Sequence, residues 1–66
     1  MSREGAFLVY CMEIVKQARR LTGRQVNDLF QRYGLFAFVT EFYELLHVHD
    51  EQYILQDIDG YIREQG

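Results

Sequence analysis

A thiol, two imidazoles and a scatter of carboxylates are the groups in this chain that carry reactive chemistry. Cys11 is the one cysteine. A cysteine with a histidine as base, here His47 or His49, is a known nucleophilic pair. Cys11, however, sits among apolar residues with nothing near it in sequence to lower its pKa. That setting describes a buried, inert thiol. His47-Val48-His49 could offer two ligands to a metal, with Asp50 and Glu51 as oxygen donors. Zinc needs three or four ligands, and no second His or Cys cluster is present. A histidine at a helix C-terminus also gains from the helix dipole without any metal. The paired carboxylates Glu41 and Glu44, or Asp57 and Asp59, have a spacing that acid–base catalysis can use, but the same spacing fits solvated helix faces. Ser2 is the only serine and no glycine-rich phosphate loop occurs, so neither a hydrolase triad nor a nucleotide-binding loop is expected. The expectation is a chain with no catalytic residue, no metal site and no cofactor.

The elements that must position these groups follow from periodicity. Phe7, Cys11, Ile14, Ala18 and Leu21 recur at steps of four and three, widened by Leu8 and Val15, which predicts a helix from about Arg3 to Leu21 with one buried face. Ser2 suits its N-cap. Glu13, Lys16, Arg19 and Arg20 fall largely outside the stripe, with the cations toward the C-terminal end of the dipole. Thr22-Gly23-Arg24-Gln25 has the capping-box spacing and predicts a second helix from about Gly23 to Tyr33. Val26, Leu29, Phe30 and Tyr33 form its apolar side, and Gly34 follows where a left-handed residue is expected. Leu35 to about Leu46 carries Leu35, Phe38, Val39, Phe42, Leu45 and Leu46 in helical phase. Aromatic and β-branched residues at Leu35 to Thr40 would also suit a strand, but the phase holds for three turns and favours a helix. His47 to Gln52 reads as a turn. Tyr53 to about Arg63 is a fourth amphipathic helix with Ile54, Leu55, Ile58, Tyr61 and Ile62 on one side and Asp57 and Asp59 on the other. Gly60 weakens it by about 1 kcal/mol relative to Ala, so its end is expected to fray. The sum is one all-α domain, residues 1–66: a bundle of four short helices joined by short connections.

The 66 residues set limits on this domain. A folded monomer of this mass exposes roughly 4,400 Å² and hides only about 60% of its unfolded surface. Such a core has no room to spare for an enzyme cleft, and chains this small usually lean on a disulfide, a metal, tight packing or a partner. One cysteine precludes an intrachain disulfide and suits a reducing compartment. No apolar run approaches the roughly 20 residues of a membrane span, and Arg3, Glu4 and Glu13 do not make an export signal. A cytoplasmic protein is expected.

Charge is asymmetric. Residues 1–33 carry six basic and three acidic side chains, whereas residues 34–66 carry one basic and seven acidic. Lys16, Arg19, Arg20 and Arg24 could meet phosphates, and the helices flanking Gly34 resemble a helix-turn-helix. The second of these would present Phe36, Phe38, Phe42, Glu41 and Glu44, which do not read base edges. Nucleic-acid binding is therefore the minor alternative. Ten aromatic rings, five Phe and five Tyr, exceed what so small a core can enclose. Some of Tyr10, Phe36, Tyr43, Tyr53 and Tyr61 should be partly exposed, either along the bundle seams or as an interface.

The order of these motifs resembles a family of short bacterial proteins classed as a domain of unknown function. The resemblance rests on Phe7-Leu8-Val9-Tyr10-Cys11, then Val26-Asn27-Asp28-Leu29-Phe30-Gln31-Arg32-Tyr33-Gly34. Tyr43-Glu44-Leu45-Leu46-His47 follows with one residue shifted, and Tyr53-Ile54-Leu55-Gln56-Asp57-Ile58 with Tyr61-Ile62 closes the match over nearly the whole chain. Members are often encoded beside an ADP-ribosyltransferase-like domain, an arrangement similar to a toxin–antitoxin or effector–accessory pair. The resemblance implies a protein partner and assigns no catalytic residue. The resulting expectation is a non-catalytic protein-binding module, antitoxin-like or accessory to an ADP-ribosyltransferase-like toxin. Tyr10, Arg20, Arg24, Phe36, Tyr43, His47 and Tyr53 are its candidate partner surface. The alternatives are a self-associating helical module, a homodimer pairing its first helix through Leu8, Met12 or Val15, and nucleic-acid binding through Lys16–Arg24.

Overall fold

The long helices begin where a side chain takes over a free backbone N–H. The structure, a computed structural model, describes residues 2–65. Its helices are α1 (Arg3–Arg19), α2 (Gly23–Arg32), α3 (Leu35–Glu41), α4 (Tyr43–Leu46) and α5 (Glu51–Glu64). Ser2 Oγ accepts the Gly5 N–H at 2.9 Å and starts α1. At α2 the capping box is complete: Thr22 Oγ1 accepts the Gln25 N–H at 3.1 Å, and Gln25 Oε1 accepts the Thr22 N–H at 2.9 Å. Asp50 Oδ1 accepts the Tyr53 N–H at 2.9 Å, so the last helix begins at Glu51, one turn's edge before the periodicity alone suggests. Such caps satisfy N–H groups that have no partner inside the helix.

The ends are equally specific. Helix α1 stops at Arg19 because Arg20 turns left-handed (φ 56°, ψ 48°). The Arg20 N–H donates to the Gln17 carbonyl at 3.3 Å and the Leu21 N–H to the Lys16 carbonyl at 2.9 Å, the paired bonds of a Schellman turn. Helix α2 closes at Gly34, at φ 65°, as its position predicts.

The third segment departs from a single helix. Thr40 Oγ1 donates to the carbonyls of Phe36 at 2.9 Å and Ala37 at 3.2 Å, back-bonding of the kind that bends helices. Two residues later Phe42 leaves the helical region (φ −100°, ψ 20°) and separates α3 from α4. Beyond the break Leu46 enters the core, but Phe42 and Leu45 do not join the buried stripe.

Helix α1 packs against α2, α3 and α5, and α2 packs against α3. Cys11, Val15, Phe30, Leu35, Val39 and Ile58 are at most 1% exposed and form the centre. Burying a side chain such as Phe30 contributes roughly 1.5–3 kcal/mol. Ala18, expected on the stripe, is exposed. Val15 lies inside this core, which removes it from any pairing of α1 with a second copy. The large apolar side chains that α1 does expose are Val9 and Tyr10. Helix α5 runs through Gly60 to Glu64. Gln65 Nε2 then donates to the Tyr33 carbonyl at 2.9 Å and ties that end to the close of α2. The exposed surface is 4,666 Å², near the value expected for a monomer of this size.

Candidate functional site

The groups with reactive chemistry are absorbed one by one into structure. Cys11 is fully buried, and burial pushes its thiol up from 9.0 to about 12. A thiol held protonated in this way is a poor nucleophile. His47 stacks on Tyr43, with ring centroids 4.5 Å apart, and its Nδ1 lies 2.8 Å from the Tyr43 carbonyl oxygen. His49 stacks on Tyr53 at 3.8 Å. Each imidazole is thus engaged by the tyrosine four positions away. Asp50, the nearest oxygen donor, caps α5. Among the described residues no three His, Cys, Asp or Glu side chains converge as metal ligands would. Asp59 accepts from Arg19 rather than standing free beside Asp57, and Glu41 and Glu44 lie on the surface.

The candidate partner residues fall into separate neighbourhoods. Tyr10, Tyr43 and His47 are joined through Phe7, which lies 6.0 Å from Tyr10 and meets Tyr43 edge-on at 5.4 Å. Arg20 and Arg24 flank the α1–α2 corner, both exposed. In the basic cluster around them, Arg19 is paired and Lys16 is half-buried. Phe36 is half-buried against Phe30, with centroids 5.4 Å apart. Tyr53 lies on the wall of a groove.

That groove is lined by residues of α3, α4 and α5 and of the break between α3 and α4. It holds about 370 Å³ between α4 and α5. Its floor is Phe38, Leu46 and Tyr61, with Phe38 and Tyr61 stacked at 4.2 Å. Phe42, Leu45 and Tyr53 form the apolar wall, and they are 38%, 65% and 45% exposed. Val48, 69% exposed, adds apolar surface in the turn between α4 and α5. Asp57, Gly60 and Glu64 complete the lining from α5, and among the described residues no cation lines it. The bend after Thr40 creates this face by withdrawing Phe42 and Leu45 from the core. At Gly60 the missing side chain leaves the wall low, since a Cβ placed there meets nothing within 4 Å.

Residues 6–65 match the family described as "Protein of unknown function (DUF3791)". The chain belongs to this family. Comparisons with curated proteins and with solved structures found no match. The match takes in every helix from Ala6 onward, and so both walls of the groove.

In this DUF3791 protein, Phe42 and Leu45 are surface residues that periodicity does not reveal. Phe42 and Leu45 are in phase with Leu35 and Phe38, and only the bend separates them. One signal was present: residues 35–46 hold more large apolar side chains than one helical stripe can bury.

Proposed function

We propose that this DUF3791 protein is a non-catalytic protein-binding module that receives its partner in the α4–α5 groove. The observation that carries the reading is the exposure of Phe42, Leu45 and Tyr53 together along one groove. Large apolar side chains gathered on one face of a small protein mark an interaction site. Tyr and Phe are suited to anchor it, since they bring wide, rigid area. The burial of Cys11 and the structural engagement of both histidines and Asp50 support a role without chemistry. The finer reading, which rests on the resemblance described above, is an antitoxin-like or accessory partner of an ADP-ribosyltransferase-like protein in the cytoplasm. It would cover that protein's site or stabilise its fold.

Co-expression of the chain with an ADP-ribosyltransferase-like protein of the same genome, followed by size-exclusion chromatography, tests this. Co-elution that Leu45→Gln abolishes supports the proposal. Separate elution at micromolar concentration removes the ADP-ribosyltransferase-like partner. Co-elution indifferent to Leu45→Gln removes the groove.

A further inference from the structure

The groove has a charge as well as a shape. Asp57 and Glu64 line it from one side of α5, and among the described residues no Lys or Arg lines it. Residues 34–66, which supply the whole lining, carry seven acidic side chains against the single Arg63. An occupant with an apolar face and acidic flanks would bring like charges together at close range, an arrangement that excludes wrong partners. A second copy of the chain docking by this same face would meet that repulsion, since its groove carries the same carboxylates. The occupant is therefore a segment with apolar anchors and basic neighbours.

Its backbone form follows from the walls. The described residues contain no strand, so no sheet edge is offered to an extended peptide. Helical walls around an apolar floor fit the helix-in-groove mode, in which anchors at i, i+3 or i+4 and i+7 enter together. Such a stripe spans about 10 Å, within a molecule measuring 25 × 24 × 20 Å. The lining runs from Phe42 and Leu45 to Glu64 near the end of α5, which gives such a stripe several anchor points along its length.

We infer that the α4–α5 groove takes an amphipathic helix of a partner protein, one whose apolar stripe is flanked by Lys or Arg facing Asp57 and Glu64. This rests on the groove being the binding face and adds the chemistry of what binds there.

Selection from a displayed library of random helical peptides against the intact chain tests it. Enriched peptides should carry an i, i+3 or i+4, i+7 apolar stripe and an excess of Lys and Arg. Their binding should fall by about tenfold or more with Leu45→Gln, and should weaken as salt rises. The double variant Asp57→Asn, Glu64→Gln should retain apolar peptides while losing the preference for basic ones. Peptides that need Leu45 but show no excess of basic residues overturn the inference and leave the groove standing. Peptides indifferent to Leu45→Gln, or no enrichment at all, overturn both. Concentration-dependent self-association of the chain alone, abolished by Leu45→Gln, assigns the groove to a second copy and overturns the inference.

Discussion

Arg19 Nη2 donates to Asp59 Oδ1 at 2.8 Å, joining the end of α1 to α5 across 40 residues of sequence. It is an ion pair between the basic half of the chain and the acidic half. Both side chains are well exposed, 38% and 47%, so water screens the pair. Asp59→Asn should lower stability by less than about 1 kcal/mol. Urea unfolding at low and high salt checks this, with the difference between the two proteins shrinking at high salt.

Arg20 occupies a backbone region that L-residues enter at a cost of about 1–2 kcal/mol, and it does so to close α1. Glycine adopts that geometry freely. Arg20→Gly should therefore raise stability by up to about 1 kcal/mol, once the greater freedom of the unfolded chain is offset. A higher urea midpoint with unchanged slope is the expected result.

Cys11 gives a pH dependence with a definite sign. The unfolded thiol loses its proton near 9.0, while the buried one holds it to about 12. The stabilisation is complete below pH 9.0 and is lost as pH rises toward about 12, because the unfolded state releases a proton that the folded state keeps. The slope reaches at most about 1.4 kcal/mol per pH unit. Comparing Cys11→Ala with the parent across that window isolates it, since every other ionisable group is common to both chains. The parent should lose stability faster with rising pH.

Gly60 tests whether groove and stability trade against each other. Gly60→Ala should stabilise α5 by about 1 kcal/mol, because the added Cβ meets nothing. Gly60→Leu should fold as well as the parent, yet weaken partner binding by filling the groove. Thermal unfolding and a binding titration on the same samples separate the two effects.

Most of the helical architecture was legible because it is written in local chemistry. Ser2, the Thr22–Gln25 box and Gly34 act within a few residues, and each stands where its type and spacing indicate. The buried fates of Cys11, Phe30 and Ile58 follow from period alone. Three features depend on more than period. Arg20 takes the left-handed turn that sequence patterns assign to glycine. Asp50 extends α5 backward through a cap inside a stretch that reads as a turn. Phe42 leaves the helix after Thr40 bonds back to Phe36 and Ala37. This last feature hid the candidate site, since it exposes Phe42 and Leu45 although both keep the spacing of core residues. Tyr53 was recognisable as a surface residue from composition, but its place on a groove wall depends on α4 lying beside α5.

The central claim is that the α4–α5 groove is the face that binds. Calorimetric titration of the co-eluting partner into the parent chain and into Leu45→Gln measures it directly, with urea midpoints recorded for both. Leu45 is 65% exposed, so the substitution should leave the midpoint unchanged. Affinity about tenfold weaker or more, at equal stability, is the result expected. Equal affinity for the two chains would contradict the account.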